Sequence, residues 1–496
     1  MKKIKIVLLF CLILTNSCNE DRLNIDPVVP TEANYFQDND QMTTAMVGLY
    51  SKLVFFYNFR GGNWLHDVRL LPDDDLTTIG GYPFETFEGI NAGNGDLNNY
   101  FRFAYQLINR ANFIIGHIQE NGNEIYEDES LKDSHLGEAL FLRGYMFFHL
   151  WQIYGTSPVV TTRFTNIKDA LVGNSSGTEL LDQAIEDLQQ AKGLLPPSWP
   201  EDFLGRVTND SARGMLGKVL LFRGTINNDN ADYTAAIAAF DEIENARLME
   251  NFGDNFKAST ENNQESLFEV QHGKAEVLNN IWLDTDNFFT IGDLGGYRGY
   301  FDGNFTLGGN ELLVPTQELM DLFDPQDPRV AHTFSSDEEG SRVLKYMVEP
   351  GLDRNTYYNN TRVLRYADVL LMKAEALLES GGDTQQVIEL LNQIRERARN
   401  SAEPPSSVPA DLNVDETNRD VIFQWIMDER RRELAFESGH RWYDLKRWHL
   451  GGIIDLTNWD FGSLRSDFDF QEHNINFPLP VSELELNPNL AQNQGY

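Results

Sequence analysis

Few residues in this chain have the type and spacing to do chemistry. Asp73, Asp74 and Asp75 form a run of carboxylates. Glycosidic cleavage needs two carboxylates about 5 to 10 Å apart across the sugar, one of them with a raised pKa, and adjacent aspartates supply neither by themselves. They read first as capping or solvated loop acids, next as a calcium or ligand contact, and last as catalysts. The nine histidines are dispersed, no two share a His-Glu-x-x-His frame, and each reads as structural or exposed. Gly295-Gly296-Tyr297-Arg298-Gly299 lacks the glycine order of a nucleotide-binding turn, and Ser211 and Ser341 lie in no nucleophile elbow. No catalytic residue and no cofactor are expected, a structural calcium ion being the one exception left open.

Binding chemistry is better represented. Residues 60–92 hold Gly61, Gly62, Gly80, Gly81 and Gly89 among Trp64, Tyr82, Phe84 and Phe87. Residues 276–314 hold seven glycines with Trp282, Phe288, Phe289, Tyr297, Tyr300, Phe301 and Phe305. Sugar rings present C–H faces that stack on such side chains, while their hydroxyls need partners of the kind Asn63, Asp67, Asn94, Asp284, Asp286, Arg298 and Asn304 provide. Long irregular segments so rich in aromatics read as binding loops; the competing reading is that the rings only pin the loops to the body.

The rest of the chain must position those loops. Apolar residues recur at helical spacing over residues 31–53, with Thr31 as N-cap, and over 101–119, 136–154, 177–195, 211–224, 233–248, 366–379, 384–399 and 419–437. Small residues such as Ala111, Gly144, Ala374 and Ala398 fall where helices would cross. Antiparallel helix pairs that bury their faces only against neighbours are the logic of tetratricopeptide-type repeats, and three or four pairs are expected. In the stretch from Asp428 to Trp448, Asp428 stands four residues before Arg432, and Gly439 is placed as a left-handed C-cap. Arg430 and Glu437 fall close to the apolar stripe, which suits ionic pairs at a packing surface.

A chain of 496 residues exceeds the usual single core, so it forms two domains or one elongated solenoid-like body. Its formal charge of −36 argues against nucleic acid as a partner, because phosphate binding needs a dense basic footprint. Residues 1–17 carry Lys2, Lys3 and Lys5 and then an apolar run from Ile6 to Leu14, too short to span a bilayer, which reads as an export signal. Small residues lead into Cys18 as in a bacterial lipoprotein signal, although Thr15 stands where leucine is usual. Lipid on Cys18 would leave no disulfide, and the Glu20-Asp21 pair that follows resembles a surface-export signal. Residues 18–30 read as a tether.

Several stretches together resemble the SusD/RagB family of outer-membrane nutrient-binding lipoproteins over nearly the whole chain. They are YQLINRAN from Tyr105, EALFLRGYMFFHLWQIYG from Glu138, RYADVLLMKAEAL from Arg365, LNQIRERA from Leu391, the Asp428–Trp448 stretch, and FPLPVSELELNPNLAQNQGY from Phe477. The resemblance implies a mainly α fold, a tetratricopeptide-like helical scaffold of about four helix pairs with an irregular ligand-binding portion. It implies a single domain over 31–496, with scaffold in 31–60, 100–250 and 360–450 and variable loops in 60–95 and 275–314. It further implies a non-catalytic surface lipoprotein, anchored in the outer membrane by lipid on Cys18, that captures oligosaccharides or polysaccharides and delivers them to a SusC-like TonB-dependent transporter. The regions that supply the family's aromatic platform hold Trp64, Tyr82, Phe84, Trp282, Tyr297 and Tyr300 here, with Asp74 and Arg298 as polar contacts. Peptide binding, and then a surface glycosidase, are the alternatives.

Overall fold

A computed structural model describes residues 35–57, 65–78, 81–164, 166, 168–272, 313–337, 340–347 and 359–496. Its longer helices are α1 (Asn39–Tyr50), α2 (Gly95–Ile125), α3 (Glu129–Tyr154), α4 (Glu179–Leu194), α5 (Asn209–Asn227), α6 (Asn230–Asp241), α7 (Tyr366–Glu379), α8 (Thr384–Asn400), α9 (Arg419–Leu434) and α10 (His440–Leu450). Side-chain caps set many of the starts. Asn94 Oδ1 accepts from the amides of Asp96 and Leu97, Asp128 caps α3, and Thr208 and Ser211 form a reciprocal box on α5. Helix α2 therefore begins six residues before the expected 101, and α1 starts after Asp38, whose side chain accepts from Gln41 N, rather than at Thr31.

Each long helix packs on the next, from α2 through α8; α9 lies on α7 and α8, and α10 on α5. The apolar faces bury one large core and a second, smaller one built from Leu370, Leu371, Ile388, Leu391, Ile422 and Ile426 between α7, α8 and α9. Stacking of this kind buries a continuous face that no single pair could bury alone. Helix α6 stops at Asp241 rather than 248 because the Asp210 carboxylate takes the amides of Glu244 and Asn245 and turns the chain.

Among the described residues three antiparallel ribbons interrupt the helices: β1 (Leu76–Thr78) with β3 (Leu313–Pro315), β2 (Ser266–Val270) with β6 (Thr361–Arg365), and β4 (Phe334–Asp337) with β5 (Gly340–Val343). In the first, Leu76 faces Pro315 and Thr78 faces Leu313. The chain thus runs into residues 79–80 and out of residues 273–312 at the same end of one ribbon.

The Arg/Glu run is not one helix ending at Gly439. Helix α9 stops at Leu434, and Phe436, Ser438 and Gly439 take left-handed φ values of 65°, 48° and 76° before α10 begins. Left-handed backbone costs a non-glycine residue about 1 kcal/mol or more. What holds the break is Lys345, whose Nζ donates to the carbonyls of Glu433 and Ala435 at 2.9 Å each and to Glu437 Oε1 at 2.8 Å. The expected Asp428–Arg432 pair is absent: Asp428 accepts from Gln424, and Arg432 donates to Leu322 O.

Candidate functional site

The loop edge rests on buried ion pairs. Glu265, Glu429, Glu433, Glu437 and Asp327 meet Arg329, Lys345, Arg365, Arg395 and Arg397. Nine of the ten side chains are at most 4% exposed, and Arg395 is the partly exposed tenth. Burial pushes the Glu429 and Glu437 carboxyls up, but Arg329 and Arg395 around the first, and Arg365 and Lys345 around the second, bring each down to about 2. A second cluster runs through Arg430, which bonds Asp444 at 2.6 Å and Asp368 at 3.0 Å, and Arg447, which bonds Glu375 at 2.5 and 2.7 Å. Breaking such a pair from one side strands a charge in the interior.

The aspartate run belongs to this lattice. Asp73 Oδ1 accepts the amides of Asp75 and Leu76 and turns the chain into β1. Asp74, 2% exposed, accepts Arg441 Nε and Nη2 at 2.6 and 2.8 Å and Trp459 Nε1 at 3.1 Å. Its carbonyl oxygen takes Thr316 Oγ1 at 2.6 Å, and Asp75 O takes Thr316 N at 2.9 Å. The run thereby fastens both strands of the β1·β3 ribbon to α9 and α10. Burial raises Asp73, and beside Arg431 and Arg441 the Asp74 carboxyl, despite its own burial, lies well below the usual range. Split acidities can mark an acid–base pair, but both carboxylates are buried and turned to the scaffold. Among the described residues no group of three or more His, Cys, Asp or Glu is placed to hold a metal ion.

Beyond β1 the backbone is gripped by Glu85, which accepts Thr77 Oγ1 at 2.7 Å, Thr78 N at 3.1 Å and Ser463 Oγ at 2.9 Å and also bonds Thr78 Oγ1. Gly81 has φ +73°, a left-handed conformation that strains any side chain, and a Cβ there would lie 2.9 Å from the Arg465 guanidinium, which would have to shift. Tyr82 is half-buried, and burial with Asp67 nearby raises its hydroxyl pKa. Phe84 is buried edge-on against Phe477 at 5.4 Å, and Phe87 sits among Trp442, Phe461, Phe468 and Phe470.

Of the residues expected at the site, Tyr82 lies at the loop edge, whereas Asp74 and Phe84 lie beneath it with their side chains engaged by the body. Trp64, Trp282, Tyr297, Arg298, Tyr300 and Cys18 lie outside the described residues. The stretch Trp459–Phe470 was not among the expectations, yet it joins the edge through Trp459, Ser463 and Arg465, with Leu464 72% exposed beside them. Its composition, WDFGSLRSDFDF, repeats the mix of aromatics, glycine and polar residues seen in the two loops, which is the signal that would have found it.

Comparison with known proteins places these features among relatives. Residues 331–496 match a family described as the SusD family, and residues 79–221 match one described as starch-binding associating with outer membrane. The chain is 27% identical to SusD-like protein P2 of Formosa agariphila over the full length of both. A SusD superfamily protein from Bacteroides vulgatus superposes with a TM-score of 0.72 at 23% identity, covering 93% of this chain and 100% of that one. A laminarin-binding SusD-like protein does so with a TM-score of 0.68, again at 23% identity and over 93% and 100% of the two chains.

Proposed function

The chain belongs to the SusD family, and on that premise we propose that it is a surface lipoprotein that binds glycans without cleaving them and delivers oligosaccharides to a SusC-like TonB-dependent outer-membrane transporter. The observation that carries the proposal is the β1·β3 pairing, which sets the middle of one glycine- and aromatic-rich segment, residues 60–92, against the end of the other, residues 276–314. Sugar binding wants such a convergence, because one ring stacked on one aromatic gains about 1 kcal/mol and useful affinity needs several. Tyr82 and Arg465 stand at that edge, and Trp64, Trp282, Tyr297, Arg298 and Tyr300 complete the proposed platform. Asp74 and Phe84 support it from beneath.

Lipid on Cys18 is the proposed anchor, which suits the match of residues 79–221 to a family described as starch-binding associating with outer membrane. Among the described residues no helix is long and apolar enough to cross a membrane. The proposal needs no cofactor and no reaction. Because that same family is described as starch-binding and one structural neighbour as laminarin-binding, glucans are the first ligands to try. Titration calorimetry against starch, laminarin and other glycans, run beside an assay for released reducing ends, tests it: binding of at least one glycan with no release supports the proposal. Binding of peptides and of no glycan, or release of reducing ends, overturns it.

A further inference from the structure

Where the aspartate run meets the turn between α9 and α10, Asp75, Arg430, Arg431, Leu434, Ala435, His440, Arg441 and Asp444 enclose a small cavity of about 10 Å³. Two polar atoms of its lining residues have no hydrogen-bond partner among the described residues, Arg430 Nη2 and Asp75 Oδ2. Both side chains are otherwise committed. Arg430 gives Nε to Asp444 and Nη1 to Asp368, and Asp75 Oδ1 accepts Arg431 Nε at 2.7 Å. Arg430 is 2% exposed and Asp75 0%, so bulk solvent cannot serve either atom.

We infer that this cavity is a binding site for one ordered water molecule, which accepts from Arg430 Nη2 and donates to Asp75 Oδ2. A cavity of this size holds a single water, and a buried water needs two or more polar partners, which are present here as one donor and one acceptor. Left unmade, each interaction would leave part of a charged group unsatisfied in the interior, and the two together cost more than immobilising one water. The surrounding charges select the ligand class. A halide would lie against the carboxylates of Asp75 and Asp444, and a metal cation against Arg430, Arg431 and Arg441; a neutral molecule that both donates and accepts meets neither repulsion. The water then forms a link between the β1·β3 ribbon and the scaffold, next to the direct bonds from Arg431 and Arg441 to the aspartates.

A crystal structure of the intact mature chain at about 1.5 Å, solved with and without a bromide soak, tests the assignment. The expected result is one full-occupancy peak within hydrogen-bond distance of Arg430 Nη2 and Asp75 Oδ2, with no anomalous signal after the soak. An empty cavity, a direct contact between Arg430 and Asp75, or an anomalous bromide peak at that position overturns it.

Discussion

Replacing Asp74 by asparagine separates a structural latch from a ligand or catalytic acid. In the wild type the Asp74 carboxylate accepts from Nε and Nη2 of Arg441 and from the indole N–H of Trp459, and Arg441 is only 7% exposed. The amide side chain keeps the size and one acceptor oxygen but removes the charge, so Arg441 loses the anion facing it and an N–H₂ group must turn toward one of the former donors. Removing one partner from a buried charge pair costs about 3 kcal/mol or more. With an unfolding entropy of about 2.1 cal/mol/K per residue, the 496-residue chain loses roughly 1 °C of Tm per kcal/mol if it unfolds in one step. A drop of about 3 °C in Tm is therefore expected by scanning calorimetry. Arg441→Gln is expected to cost a similar amount, and the double variant less than the sum of the two. Glycan affinity well below the transition is expected to change by less than about threefold, since the side chain faces the scaffold. An Asp74→Asn protein with wild-type Tm and no glycan binding would refute this reasoning.

Further outcomes follow from the same geometry. Arg430→Ala removes one of the two cations from Asp444 and from Asp368, which keep Arg447 and Lys218, and is expected to destabilise the fold by about 3 kcal/mol, read as a loss of denaturant midpoint, with affinity unchanged in whatever remains folded. Stability is expected to fall from pH 7 toward pH 4. Burial holds His135 and His440 down at about 3 and His272 at about 4, so only the unfolded chain takes up their protons below about 6.5. Each contributes a loss of up to about 1.4 kcal/mol per pH unit, against which Glu138, pushed up to about 7 by burial, works with the opposite sign; His440→Gln is expected to flatten the loss between about pH 6.5 and 5, and an unchanged slope in that variant would contradict the burial of this ring. Glu429 and Glu437, held at about 2, favour the charged folded form, so their stabilisation is present above about 4.3 and is lost as pH falls toward 2. Trp282→Ala is expected to weaken glycan binding by about 1 kcal/mol or more with an unchanged Tm; the reverse pattern would make that tryptophan a core residue.

Helix periodicity was legible because apolar stripes at 3.6-residue spacing survive in any context, and α7 matches its expected limits of 366 and 379. Limits set by distant side chains were not. Nothing local in ELAFESGH tells of Lys345, ninety residues away, whose three N–H groups end α9 at Leu434 and let the chain turn through left-handed backbone. The role of Asp74 was hidden in the same way: its partners Arg441 and Trp459 are more than 360 positions downstream, so the aspartate run read alone resembles solvated acids or a ligand contact. The ionic character of Arg430 and Glu437 could be read from their place beside the apolar stripe, but not which carboxylate each arginine would find. The loops could be recognised by composition, and their meeting at one ribbon end depends on strand pairing across more than two hundred residues, which no local pattern encodes.

The central claim is that glycan is held at the ribbon end where Tyr82 and Arg465 stand. A crystal structure of the chain with the tightest-binding oligosaccharide from the calorimetric panel tests it most directly. The account predicts sugar rings at that edge, within contact of Tyr82 or Arg465 and of at least one aromatic from residues 58–64 or 273–312. Sugar bound instead on the outer faces of α2 to α8, with the ribbon end bare, would contradict it.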